Sequence, residues 1–397
     1  MRNKCFGPVA CIAALMAIML GCGSGSSVVA PPSSKTEFLY LTAATGAVTA
    51  PSFQLLAYTI DSSSGALNAT STIPLAQIVT GIAVDPTSKF LYLSSPNPAA
   101  SFIDIYSIDA TTGAPAINSS FLLTSVCAFC LAPSEPGALA FDPTGILYYG
   151  SASIGDGISQ GVGALSVDSS TGGLSVVPGS PFPVDQAPFS LLVHPSGQFV
   201  YTEDAGFGSG ELILENISAF SVGATGALTP VQGSPFTPPV GSDVVGFAMH
   251  PSGNFLYATT GLAANGILGW SIDATTGELT SLAGSPFQSG AACFGGTFDP
   301  AGKFLYVSAG AGGGIYGFNV DSGSGSLTPL PNSPFASTAV LSSPVVDPSG
   351  QFLFAVDIQT SAITGFSLDA TTGALTQLGN PAVVDASLGL LTIVKAP

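Results

Sequence analysis

Of the chain's 397 residues only 7% are charged and 46% are hydrophobic, and 23 acids against 6 basic residues give a formal net charge of −17. Nucleic-acid binding needs clustered Lys and Arg to displace counterions; the only Arg is Arg2, at the extreme N-terminus, so nucleic acid is excluded as a partner. The same shortage argues against electrostatic docking on anionic lipid.

Residues 1–21 read as a signal segment. Arg2 and Lys4 form a short basic start, and residues 5–20 an apolar stretch too short for a comfortable membrane span. The run Met19-Leu20-Gly21-Cys22 is a small-residue processing site that resembles a bacterial lipoprotein signal. That resemblance implies that Cys22 becomes the lipidated N-terminal residue; the alternative is an ordinary secretory signal with Cys22 incidental. Residues 22–36 continue as GSGSSVVAPPSSKT after the cysteine, the composition of a flexible tether. The expected location is the bacterial cell envelope, periplasmic or at the outer membrane or cell surface, with attachment resting on acyl chains.

From residue 37 the chain repeats itself. A segment of the type FLYL recurs seven times, and its third residue falls at Tyr40, Tyr92, Tyr148, Tyr201, Tyr257, Tyr306 and Phe354, 48 to 56 residues apart. A period of this size, built from short β-branched and aromatic runs, marks a β-propeller or a related array. In the unit 81–117, GIAVDP is a first strand, KFLYLSS a second and IDIYSID a third, and the turn DATTG leads into a fourth. The turn's Asp can fold its carboxylate onto nearby backbone N–H groups, and its Gly tolerates positive φ. The turn returns at residues 61–65, 168–172, 273–277, 321–325 and 369–373, and in degraded form at 223–226.

Four antiparallel strands per repeat make one blade, so residues 37–397 are expected to form an all-β, seven-bladed propeller. The first repeat lacks its own first strand, whereas residues 389–394 are an orphan apolar run. Donating that run to the first blade completes the ring and removes a free sheet edge. The mean hydropathy of +0.53 raises an outer-membrane barrel as a rival, but barrel strands are longer and carry no four-stranded repeat. Blades explain the hydropathy because both faces of each sheet pack on neighbours.

Cys5 and Cys11 lie in the signal, leaving Cys127, Cys130 and Cys293 besides Cys22. The spacing of Cys127 and Cys130 suits a redox pair or half a zinc site. No helix-forming pattern surrounds it and no second pair lies near, so a local loop-stapling disulfide in an oxidising compartment is the simpler reading. Cys293 is then a free thiol.

The repeated FLY-L/V, the I-x-x-F/Y-x-I/V-D-x-x-T-G-x-L strand and turn, and the GSPF segments at Gly179, Gly233 and Gly284 together resemble the propeller-type lactonase family. This family includes 6-phosphogluconolactonase-like proteins and relatives with YVTN repeats. The resemblance implies hydrolysis of a sugar lactone at the mouth of the central channel. A phosphorylated lactone would call for Arg or clustered Lys, and here only Lys35, Lys89, Lys303 and Lys395 follow the signal.

His194 and His250 stand in HPSG turns where other repeats hold Asp85, Asp142, Asp299 and Asp347; exchange with Asp at a turn points to a turn-former. The pattern is broken most in the fourth repeat, where TEDAGFGSGELILE is expected to place Glu203, Asp204, Glu211 and Glu215 in an extended loop. Asp185, Asp243, Asp357 and Asp385 complete an acidic rim. Such carboxylates could bind a hard divalent cation such as calcium or activate water, with Glu203, Asp204 and Asp243 as catalytic candidates; equally, they could only solubilise an apolar protein. No fixed ligand spacing is evident, so no cofactor is assigned.

Two functions therefore stand: a monomeric binding or scaffold module for a protein, glycan or small molecule at the envelope, or a lactone hydrolase. The anchor itself is testable. Cys22→Ser should move the protein from the membrane to the soluble fraction, with an acyl group found by mass spectrometry on wild type only.

Overall fold

The computed structural model describes residues 36–45, 52–95, 101–123, 134–153, 160–208, 211–239, 241–261, 266–289, 291–309, 313–335, 340–357, 359–379, 382–384 and 389–397. These form seven separate antiparallel sheets, the blades of a propeller rather than the single closed sheet of a barrel. Blade 1 takes its inner strand, Leu391–Lys395, from the C-terminus and continues outward through Glu37–Thr45, Ser52–Ile60 and Leu67–Leu75. The closing strand pairs Glu37 with Lys395 through to Leu41 with Leu391, and the Ala396 N–H bonds the Thr36 carbonyl at 2.8 Å. Blades 2 to 7 follow in chain order, each starting at the channel.

Every blade is one β-meander, so its connections fall on two faces. Turns between first and second strands, and between third and fourth, share one face, here the turn face. Connections between second and third strands, and between blades, share the other, the mouth face.

The repeated aromatic motif supplies the contacts between blades. Each motif tyrosine is fully buried and donates its hydroxyl to the glycine carbonyl of the D-x-x-T-G turn in the next blade. The pairs are Tyr40 to Gly113, Tyr92 to Gly172, Tyr148 to Gly226, Tyr201 to Gly277, Tyr257 to Gly325 and Tyr306 to Gly373, at 2.6 to 3.2 Å. Burial raises the proton affinity of these hydroxyls further, and they stay donors. The motif's leading ring packs on the same turn. At Gly113, φ is +68° and a Cβ would sit 2.4 Å from a ring carbon of Phe38, so both backbone and space demand glycine there.

The turn aspartate behaves as the sequence implies. Asp61 accepts from the N–H and hydroxyl groups of Ser63 and Ser64 at 2.7 to 3.0 Å, which holds its carboxyl down at about 2. On the inner turns, Asp85, Asp299 and Asp347 each accept the N–H of the following phenylalanine at 2.6 Å. His194 and His250 take that role differently. Each Nδ1 accepts the N–H of the serine two residues on at 3.1 Å, so each Nε2 carries the proton and donates to the next blade, to Gly253 at 3.0 Å and Gly302 at 2.8 Å. Both rings are buried, which keeps them neutral. They are turn-formers, as expected, and links across a seam besides.

The GSPF segments shape the outer edge. Ser180, Ser234, Ser285 and Ser333 each accept a third-strand N–H at 2.9 to 3.0 Å, and the Phe after the proline bridges back to that strand in blades 4 to 6. The outer strands of blades 3 to 7 are accordingly cut to three residues, a length that offers little to a stray strand.

The seventh motif residue is Phe354, so the bond from blade 7 to Gly65 of blade 1 is missing. Tyr201→Phe, which orphans the buried Gly277 carbonyl, should cost about 1–3 kcal/mol in denaturant unfolding. Phe354→Tyr should gain about 1 kcal/mol by adding the seventh bond.

Candidate functional site

Inner strands begin at the mouth face, and five of the seven carry a β-bulge near that end. The register shifts between Pro136 and Leu139, Pro188 and Ser190, Val244 and Gly246, Cys293 and Gly296, and Ser342 and Val345. A bulge leaves backbone outside the ladder and re-aims the side chains beside it, which is why bulges collect next to active sites. The repeat spacing gave no sign of them; the nearest signal is the Gly and Pro content of these strands.

The acidic segment of blade 4 is a hairpin, not the extended loop expected from the sequence. Its second strand runs Phe199–Gly208 and its third Glu211–Val222, paired from Phe199 with Ser221 out to Gly208 with Glu211 with one register shift between Gly206 and Phe207. The apolar run at residues 212–214 continues the third strand, so these acidic positions lie within paired strands. Glu203 lies opposite Ile217, Asp204 opposite Asn216, and Glu215 opposite Ala205.

Successive strand residues point to opposite faces. Tyr201 reaches blade 5, so Glu203 shares the blade 5 side and Asp204 the other. Asp204 is only 1% exposed, and it accepts the Thr202 hydroxyl at 2.7 Å on one oxygen and the Ser218 hydroxyl on the other. Burial drives its proton affinity up to about 7; the two hydroxyls pull the other way, and nearby Asp185 adds to the rise. Glu203 is buried as well.

Asp243 is different. It stands at the mouth face just before the inner strand of blade 5, half-exposed, with φ at +53°. Left-handed backbone is uncommon for a residue with a side chain, and such outliers gather at functional sites. The Gly261 N–H bonds the Asp243 carbonyl at 2.8 Å, and a Cβ on Gly261 would fall 2.3 Å from Asp243 Oδ2. Glycine at 261 thus lets the carboxylate lie against the backbone, where partial burial raises its proton affinity.

Of the other rim residues, Asp185 lies near enough to Asp204 to act on its charge. Asp185 is exposed, and Asp357 is buried as a turn-former accepting the Gln359 and Thr360 N–H groups at 2.9 and 3.3 Å. Cys22, Cys127, Cys130 and Asp385 lie outside the described residues. Among the described residues no three His, Cys, Asp or Glu side chains gather closely enough to hold a metal ion, and Cys293 is a buried free thiol, as expected. At the opposite end the channel holds an apolar cavity of about 120 Å³ between Leu192, Phe247, Met249, Phe298, Val345 and Ile393. Its titratable groups are His194, committed to a seam bond, and Asp142, whose Oδ1 accepts the Thr144 N–H and hydroxyl and the Ile146 N–H within its own turn.

With the bulged channel mouth and the seven-bladed ring in view, the chain matches the family model described as lactonase, 7-bladed beta-propeller, over residues 207–344 and 297–391. Across that span, residues 207–391, the propeller is similar to the lactonase family. A candidate 6-phosphogluconolactonase from Bacteroides uniformis superposes on it with a TM-score of 0.71 at 16% identity, covering 91% of this chain and 99% of that one. The periplasmic gluconolactonase of Pseudomonas aeruginosa gives 0.67 at 18% identity, covering 90% and 100%. A hypothetical selenium-binding protein from Sulfolobus tokodaii gives 0.63 at 11%, covering 92% and 94%. Likeness at such identities is one of fold. No curated protein matches the chain in sequence.

The Asp204 carboxyl binds its proton more tightly folded than unfolded. Its contribution to stability is therefore complete at acid pH and is lost as pH rises from the ordinary carboxylate range to about 7. Asp204→Asn should flatten the decline in melting temperature across that window, measured by calorimetry.

Proposed function

We propose that the protein is an extracytoplasmic lactone hydrolase, held at the envelope through Cys22, that opens an unphosphorylated sugar lactone with Asp243 as general base. The observation that carries the reading is Asp243 itself: a half-exposed carboxylate of raised proton affinity, in strained backbone, at the bulged mouth of a lactonase-family channel. A base needs access and a proton affinity brought toward the working pH, and Asp204 and Glu203 are too buried to meet a substrate.

In the reaction, Asp243 takes a proton from water as the water oxygen adds to the lactone carbonyl carbon. Collapse of the tetrahedral adduct breaks the bond to the ring oxygen. Asp243 returns the proton to that oxygen, leaving an open-chain hydroxy acid. Asp204, joined to Thr202 and Ser218, holds the blade 4 hairpin beside the mouth and is a positioning residue.

The Bacteroides uniformis relative's name refers to a phosphorylated substrate, but charge disfavours one here. Lys89 and Lys303 precede second strands, which begin on the turn face, and Lys395 ends the closing strand on that face; the Lys303 Nζ is bonded to the Thr371 carbonyl at 2.5 Å. These lysines stand at the end of the channel away from Asp243, and the chain carries a net charge of −17.

Purified protein should hydrolyse unphosphorylated aldonolactones faster than the spontaneous reaction. Asp243→Asn should lower kcat about 100-fold, while Asp321→Asn in an outer turn leaves it unchanged. Because the base works only when ionised, the rate should fall on acidification at a pH above the ordinary carboxylate range. Absence of turnover above background would favour the binding-module reading, and preference for a phosphorylated lactone would overturn the substrate assignment.

A further inference from the structure

The seam between blades 7 and 1 differs from the other six because the chain breaks there. Blade 1 has no turn joining its inner and second strands; Pro397 ends beside Thr36, the two ends held by the bond from Ala396. In the blade 4 and blade 5 inner turns, a histidine reaches to the glycine carbonyl of the next blade's turn. Blade 7 has Asp347 at that position and no such turn to reach, since none exists in blade 1.

The gap is filled by Glu37, the first strand residue of blade 1. Its side chain is 7% exposed and hydrogen-bonds the Asp347 carboxyl, which is 0% exposed. Two carboxylates cannot share one hydrogen bond without a proton between them. Asp347 is already fixed as an acceptor by the N–H groups of Phe352 at 2.6 Å and Ser349 at 3.1 Å and by the Ser349 hydroxyl. The shared proton therefore belongs to Glu37.

The charged group facing this pair from the closing strand is Lys395, exposed and directly opposite Glu37 in the ladder. On the other flank Glu37 pairs with Ile60, which brings no charge. The missing Tyr hydroxyl at Phe354 falls in the same seam, so the closure has one bond fewer than its counterparts and more depends on this contact.

We propose that Glu37 and Asp347 form a proton-held clasp that fastens the closing strand, so that ring closure loosens in alkali at this seam before any other. Loss of the proton puts two buried negative charges in contact, and the exposed Lys395 offsets only part of their repulsion. The direction follows from linkage. Burial first, then Asp347, raises Glu37 from 4.5 to about 8, so its contribution is complete below the unfolded value and lost as pH rises to about 8. This is opposite to the exposed turn aspartates such as Asp61, whose contribution is lost on acidification.

The test is amide exchange on the full chain, expressed as protection relative to the unprotected peptide. Between about pH 6 and about pH 9.5, protection of residues 391–395 and 37–41 should fall at least about tenfold more than that of the blade 5 strands. Glu37→Gln keeps a hydrogen-bond donor that cannot ionise and should abolish the difference. Lys395→Met removes the compensating cation and should move the transition to higher pH; this variant keeps the proposal testable should Glu37→Gln fail to fold. Uniform protection across the pH range, the same loss in Glu37→Gln, or an unmoved transition in Lys395→Met would each overturn the clasp.

Discussion

The tyrosine hydroxyl that reaches from one blade to a glycine carbonyl in the next is the interaction on which the ring depends. A blade is a four-stranded sheet with two apolar faces, and hydrophobic packing alone holds such sheets together without fixing how far one slides past another. The tyrosine bond sets that register, because a buried hydroxyl and a buried carbonyl both lose heavily if they miss each other. It also explains the motif's conservatism within the chain. The tyrosine needs a glycine turn at a set height in the neighbour, the glycine needs left-handed backbone and no Cβ, and the phenylalanine two residues earlier closes over it. One contact thereby couples three positions in six of the seven repeats, with Ile146 in place of the phenylalanine in the third.

What could be read in the sequence divides along the same line. Tyr40 to Phe354, the D-x-x-T-G turns and the orphan run near Leu391 repeat or complete a period, and periodic constraints are visible in a single chain. The blade count, the closure and the turn role of His194 and His250 followed from them. The site is where the period breaks, and there the sequence misled. The stretch from Glu203 to Glu215 looked like a loop because it is acidic and glycine-rich, yet cross-strand pairing keeps it a hairpin and buries Asp204 between Thr202 and Ser218. Asp243 could be placed at a strand start but not in left-handed backbone over Gly261, because that approach joins residues in two different strands. The Glu37 contact with Asp347 was illegible for the same reason, spanning most of the chain.

Charge distribution separates the two ends of the channel. The described lysines, Lys89, Lys303 and Lys395, stand at the turn face, while Asp243 and the blade 4 hairpin stand at the mouth, so the molecule is acidic overall without being uniform. The bulged inner strands belong to the mouth as well. A scaffold that is nearly sevenfold in its packing is thus made asymmetric at one face, where its irregular backbone is concentrated.

The meeting of Thr36 and Ala396 has a bearing on how the protein can be joined to other things. Thr36, where the described ring begins, and Ala396 meet at one point on the turn face, on the far side from Asp243. The polypeptide therefore enters and leaves the ring at the back, on the face opposite the mouth. A short peptide linking the two ends would also turn the seam into an ordinary turn, so that the chain could start instead at any of the other inner turns. The order in which the blades are encoded is then separable from the architecture they build.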